Sequence, residues 1–67
     1  MKYQFTFYDT TNTYMPVTAT INVTDTKEKF SSMKRRATMK VMLEHGWTIK
    51  DLTEKYHYTK IRFRKVD

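Results

Sequence analysis

Three stretches of this chain alternate apolar and polar side chains with a period of two, and that alternation dictates extended structure. Tyr3, Phe5 and Phe7 alternate with Lys2, Gln4, Thr6 and Tyr8. Val17, Ala19, Ile21 and Val23 alternate with Thr18, Thr20, Asn22 and Thr24. In the segment from Tyr58 to Val66, Ile61 and Phe63 point one way, while Tyr58, Lys60, Arg62 and Arg64 point the other. Strands of this kind bury one face and leave the other in water. Between the first two, Asp9-Thr-Thr-Asn-Thr carries turn chemistry. Pro16 has no amide hydrogen, so it suits the first position of the second strand. The first two segments therefore predict an antiparallel hairpin.

A different period takes over after residue 25. Asp25-Thr-Lys-Glu28 has the form of a capping box, in which the first residue caps an amide three positions on and Glu reaches back. It predicts a helix from about Thr26 to His45, closed by Gly46 as a left-handed cap. Phe30, Met33, Ala37 and Val41 share one helical face, which should lie on the apolar side of the sheet.

Residues 47–66 admit two readings. In the first, Trp47-Thr-Ile49 opens a third strand, a loop spans residues 51–57, and Tyr58–Val66 is a fourth. The fold is then a two-layer α+β sandwich, an antiparallel sheet on one helix in the order ββαββ. In the second, Thr48-Ile-Lys-Asp51 caps a short helix with Ile49 and Leu52 inward. A turn at His57 then leads to a further helix, so that the N-terminal hairpin is followed by a helix-turn-helix. The spacing of Ile49, Leu52, Thr53, His57, Tyr58, Thr59 and Phe63 resembles that of bacterial helix-turn-helix regulators, although Thr53 and His57 replace the small residue and the Gly of that pattern. Histidine tolerates positive φ less readily than glycine. The β-branched and aromatic alternation of 58–66 favours the strand. The expected core is Phe5, Phe7, Val17, Ala19, Ile21, Val23, Phe30, Met33, Ala37, Val41, Trp47, Ile49, Ile61 and Phe63.

With 67 residues and no cysteine, the chain reads as one domain held by packing alone, without disulfides or thiolate-bound zinc. Four Phe, five Tyr and one Trp supply that packing. No signal peptide or spanning segment is visible, and with no cysteine this fits a cytoplasmic location. One Gly rules out a glycine-rich phosphate loop, and the two serines have no neighbouring base, so no enzyme is expected. His45 and His57 lack ligand spacing, so neither a metal nor another cofactor is expected.

Charge is the remaining signal. The chain carries +6 overall. Residues 27–67 hold twelve Lys and Arg against five acids, a surplus of seven, while residues 1–26 hold one Lys against two Asp. Such asymmetry points to an anionic partner, nucleic acid or an acidic protein, or else serves solubility. Two groups of cations are candidates for phosphate contact. One is the outward comb of Lys60, Arg62 and Arg64 with Tyr58 for stacking, which would share its face with Gln4, Thr6, Tyr8, Thr18 and Thr20. The other is Lys34, Arg35 and Arg36, which fan around the helix. Both could equally be solvated surface. Met39, Met42 and Leu43 lie opposite the core-facing stripe of the helix. They predict either a partner-binding face, self-association into a homodimer included, or a surface that the C-terminal segment covers. The leading expectation is a small basic non-enzymatic accessory protein that binds nucleic acid through backbone phosphates. The alternatives are a protein–protein module using the face around Met39 and Leu43, and a helix-turn-helix regulator.

Overall fold

The computed structural model describes residues 1–67. Strands β1 (Lys2–Asp9) and β2 (Val17–Asn22) form the expected hairpin, and α1 (Phe30–His45) and β3 (Tyr58–Lys65) follow. The sheet is antiparallel, in the order β2-β1-β3, and α1 lies against β2. The order is thus ββαβ, not ββαββ. No helix is long and apolar enough to cross a membrane.

The missing fourth strand is a matter of local capping. The Thr48 amide donates to Asp51 Oδ2 at 2.9 Å, and the Asp51 amide donates to Thr48 Oγ1 at 3.2 Å. This reciprocal cap starts a short π-type turn, Asp51–Lys55, in which the Tyr56 amide reaches back to the Asp51 carbonyl. Trp47-Thr-Ile49 is therefore the approach to a helical turn and not a strand. The turn ends at His57, whose φ of 56° reverses the chain directly into β3. Histidine thus adopts the positive φ that the missing glycine spoke against, yet a strand follows it. The helix-turn-helix alternative fails because residues 58–65 are extended and pair with β1.

Helix α1 also begins later than the capping box implies. Asp25 accepts the Lys27 amide at 2.9 Å and closes a separate turn, and the helix starts at Phe30 after an uncapped Lys29. Its far end is as expected, with Gly46 left-handed at φ 68°.

The core comprises Phe5, Phe7, Ala19, Ile21, Val23, Met33, Ala37, Val41, Leu52 and Tyr58. Leu52 and Tyr58 are additions. Val17, Trp47 and Ile61 are half-buried at its margin. Phe30, Ile49 and Phe63, expected inside, are exposed by 44%, 56% and 47%. A single helix seated over β2 leaves the inner face of β3 partly uncovered, so Phe63 is covered chiefly by its ring contacts with Phe30, 4.8 Å away, and Phe5, 5.4 Å away.

Candidate nucleic-acid interface

Strand register decides which cations share a surface. Across β1 and β3, Gln4 faces Arg64, Thr6 faces Arg62 and Tyr8 faces Lys60. Across β1 and β2, Lys2 faces Asn22, Gln4 faces Thr20 and Thr6 faces Thr18. These residues have the opposite parity to buried Phe5, Phe7, Ala19 and Ile21, so they form the face without the helix. It holds Lys2, Lys60, Arg62 and Arg64 and no carboxylate, and none of the four is in an ion pair. A depression of about 230 Å³ runs between Gln4, Thr6, Tyr8, Arg62 and Arg64. The only side-chain restraint on the comb is a long hydrogen bond from Arg64 Nε to Gln4 Oε1, 3.4 Å.

Tyr58 does not belong to this face. The pairing steps from Tyr8–Lys60 to Asp9–Tyr58, so two residues of β3 oppose one step of β1. Such a bulge shifts the parity of everything beyond it. Tyr58 therefore turns inward and is 5% exposed, and its hydroxyl donates to the Met15 carbonyl at 2.7 Å. Burial, and next the charge of Asp9, raise its ionisation above the ordinary value. The aromatic ring that does sit on the open face, half-buried beside Lys60, is Tyr8. Its parity already placed it there in the sequence, whereas nothing in the sequence marked the bulge.

The helix cations are on the other layer. Arg36 is engaged: Nη1 meets Glu28 Oε1 at 2.6 Å, and Nη2 donates to the Asn22 carbonyl. Those contacts hold the Glu28 carboxyl below the ordinary range, the Arg36 hydrogen bond being the main cause. Arg36 is thus a tie between α1 and β2 and not a free phosphate ligand. Lys34 and Arg35 remain exposed and unpaired, but they line a groove on the helix side with Thr38, Met39 and Ile49. No single surface contains both Lys34–Arg35 and Arg62–Arg64.

The methionine face is divided as well. Met42 is half-buried and packs against the core margin, while Met39 and Leu43 are exposed by 54% and 80%. Trp47 lies beside Met42 and Leu43 in a concavity of about 270 Å³. Its indole stacks on His45 at 4.2 Å and lies 4.6 Å from Tyr56. The coverage expected from the C-terminal segment reaches Met42 and leaves Met39 and Leu43 exposed.

At the opposite end, buried Asp9 organises the hairpin loop. Its carboxylate accepts the Thr11 amide and hydroxyl and the Thr13 and Tyr14 amides, at 2.6–2.8 Å. Burial alone would raise its pKa, but these hydrogen bonds outweigh that and lower it to about 2. Asp9 is thus a structural anion, and its side chain has the inward parity of Phe7, on the layer opposite the comb.

No protein-family model, curated protein or solved structure matches the chain.

Proposed function

We propose that this chain is a non-enzymatic accessory protein that holds single-stranded nucleic acid on the helix-free face of its sheet. One observation carries the reading: that face presents Lys2, Lys60, Arg62 and Arg64 with no carboxylate among them. Successive comb residues stand about 7 Å apart along the strand, so Lys60, Arg62 and Arg64 track about 14 Å of a bound backbone. Guanidinium and ammonium groups neutralise phosphates without reading sequence. Tyr8 offers one stacking surface for a base, in the role first assigned to Tyr58. Gln4, Thr6, Thr18 and Thr20 add neutral hydrogen-bonding groups.

The test is equilibrium binding of a labelled single-stranded oligonucleotide. Arg62→Gln with Arg64→Gln should abolish most binding, and Lys34→Gln with Arg35→Gln should leave it intact. The reverse pattern would move the interface to the helix. A second reading, a protein-partner module on α1, is favoured by the exposure of Met39 and Leu43. It predicts a partner, or a second copy, released by Leu43→Asp.

A further inference from the structure

The two edges of the sheet are not alike. In β1, odd residues pair with β2 and even residues with β3: Val23 donates to Met1 and Val66 to Lys2, and the antiparallel alternation follows from there. The outward carbonyls of β2 include those of Thr20 and Asn22, and both are taken, by Lys40 Nζ and by Arg36 Nη2. Side chains of α1 thus cover the β2 edge in part, at two of its outward carbonyls, while its outward amides stay open. On β3 the groups pointing away from β1 are those of Ile61, Phe63 and Lys65. No turn, loop or side-chain hydrogen bond reaches any of them. A free edge of this length is a template for another strand.

The side chains beside that edge specify what would fit. On the inner face, Ile61 is half-buried and Phe63 is 47% exposed. Next to them, a cleft of about 260 Å³ between α1 and β3 is lined by Phe7, Leu52 and 56%-exposed Ile49, with Lys34 and three threonines among its other lining residues. On the outer face stand Lys60, Arg62 and Arg64. An incoming strand would hydrogen-bond at Ile61, Phe63 and Lys65 and meet Arg62 and Arg64 at the closer, non-bonded positions. The geometry points to a β3 edge that receives an extended segment of a protein partner, alternating apolar residues inward with Asp or Glu outward. A second copy of this chain is the wrong occupant: β3 paired with itself would set Arg62 and Arg64 against their own kind, on a chain of charge +6. This inference does not rest on nucleic-acid binding: it shares Arg62 and Arg64 with the proposed nucleic-acid face, but its backbone pairing and inner-face contacts are separate from that face.

The experiment uses the full chain and an end-blocked peptide alternating Val and Glu. A peptide of the same composition with its Val and Glu in blocks serves as control. Amide hydrogen exchange is the readout, because β1 already protects Lys60, Arg62 and Arg64 while Ile61, Phe63 and Lys65 exchange freely. The alternating peptide should slow exchange at Ile61, Phe63 and Lys65, and the block peptide should not. Arg62→Glu with Arg64→Glu should weaken the Val–Glu peptide about tenfold and restore tight binding to a Val–Lys peptide. Equal binding of both Val–Glu peptides, or no added protection at the three amides, overturns the proposal. So does protection that grows with protein concentration alone, which would make a second copy the occupant. Oligonucleotide binding without edge protection would sink this inference and leave the proposed function standing, while the converse would sink the proposed function alone.

Discussion

The salt dependence of binding follows from the sheet register and can be worked out in advance. Four cations on the open face, Lys2, Lys60, Arg62 and Arg64, can each neutralise one phosphate. Single strands lose about 0.7 in the slope of log K against log salt per phosphate, so the wild type should show a slope of about −2.8. Between 50 and 200 mM salt its affinity should fall about fifty-fold. Removing Arg62 and Arg64 halves the count, giving a slope of about −1.4 and a fall of about sevenfold over the same range. Lys34→Gln with Arg35→Gln touches the other layer and should leave the slope alone. Tyr8→Leu separates stacking from charge: it should cost about 1–3 kcal/mol in affinity with no change in slope. Fluorescence anisotropy over a salt series measures all four. A slope that stays near its starting value in the double-arginine variant, or halves in the helix variant, would refute the assignment of the face.

Three further outcomes concern the scaffold. Tyr58→Phe should lower stability by about 1 kcal/mol in urea unfolding, because the Met15 carbonyl loses its donor. Burial and then Asp9 displace Tyr58 ionisation upward from 10.0, so its contribution is complete below that pH and is lost above it; the Phe variant should lack this alkaline limb. The Asp9 carboxyl has the opposite sign: its folded pKa of about 2 lies below the ordinary 3.8, so its contribution is complete above that value and lost as pH falls through about 2. Asp9→Asn should therefore melt lower at neutral pH and lose less stability between about pH 4 and 2, as followed by circular dichroism. Gly46→Ala should cost about 1 kcal/mol and lower the melting temperature by about 4–8 °C. A Cβ there would meet nothing within 4 Å, so the cost is backbone strain alone at φ 68°.

What the sequence made legible is what depends on near neighbours. Alternation located all three strands, the four-residue stripe located α1, and Gly46 ended it. Trp47-Thr-Ile49 misled because three residues cannot distinguish a strand from the lead-in to a helical turn. The Thr48–Asp51 cap held the information, but it belonged to the competing reading of a short capped helix. The exposure of Phe63 and Phe30 was illegible because it depends on where a single helix sits across three strands. Tyr58 was misplaced for a subtler reason. Its identity suits either face, and the inserted step at Tyr8–Asp9 exists only once the two strands have paired. Of the seven candidate nucleic-acid residues, Lys60, Arg62 and Arg64 share a face as expected. Lys34 and Arg35 lie on another, and Arg36 and Tyr58 are tied into the fold.

The contrast between Arg36 and Arg62 shows why residue type alone could not sort them. Both are arginines in cation-rich stretches, Arg36 after Lys34 and Arg35, Arg62 between Lys60 and Arg64 on alternate positions. Arg36 lies on a helix that rests against an edge strand, so its guanidinium reaches a carbonyl that would otherwise need water, with Glu28 supplying the countercharge. That ties the helix to β2 and, with Lys40 on the Thr20 carbonyl, covers two of the outward carbonyls of that edge. With α1 seated there, β3 meets it chiefly through Phe30 on Phe63, which keeps a free edge and a partly uncovered apolar face. Arg62 projects from the far side of that strand, where the sheet presents hydroxyls, two amides, a phenol and other cations. Its charge has no internal partner, and the nearest means of neutralising it is an anion from outside. The asymmetric seat of one helix on three strands thus produces both surfaces: a cationic face on one layer, and an open strand edge where that face meets the apolar one.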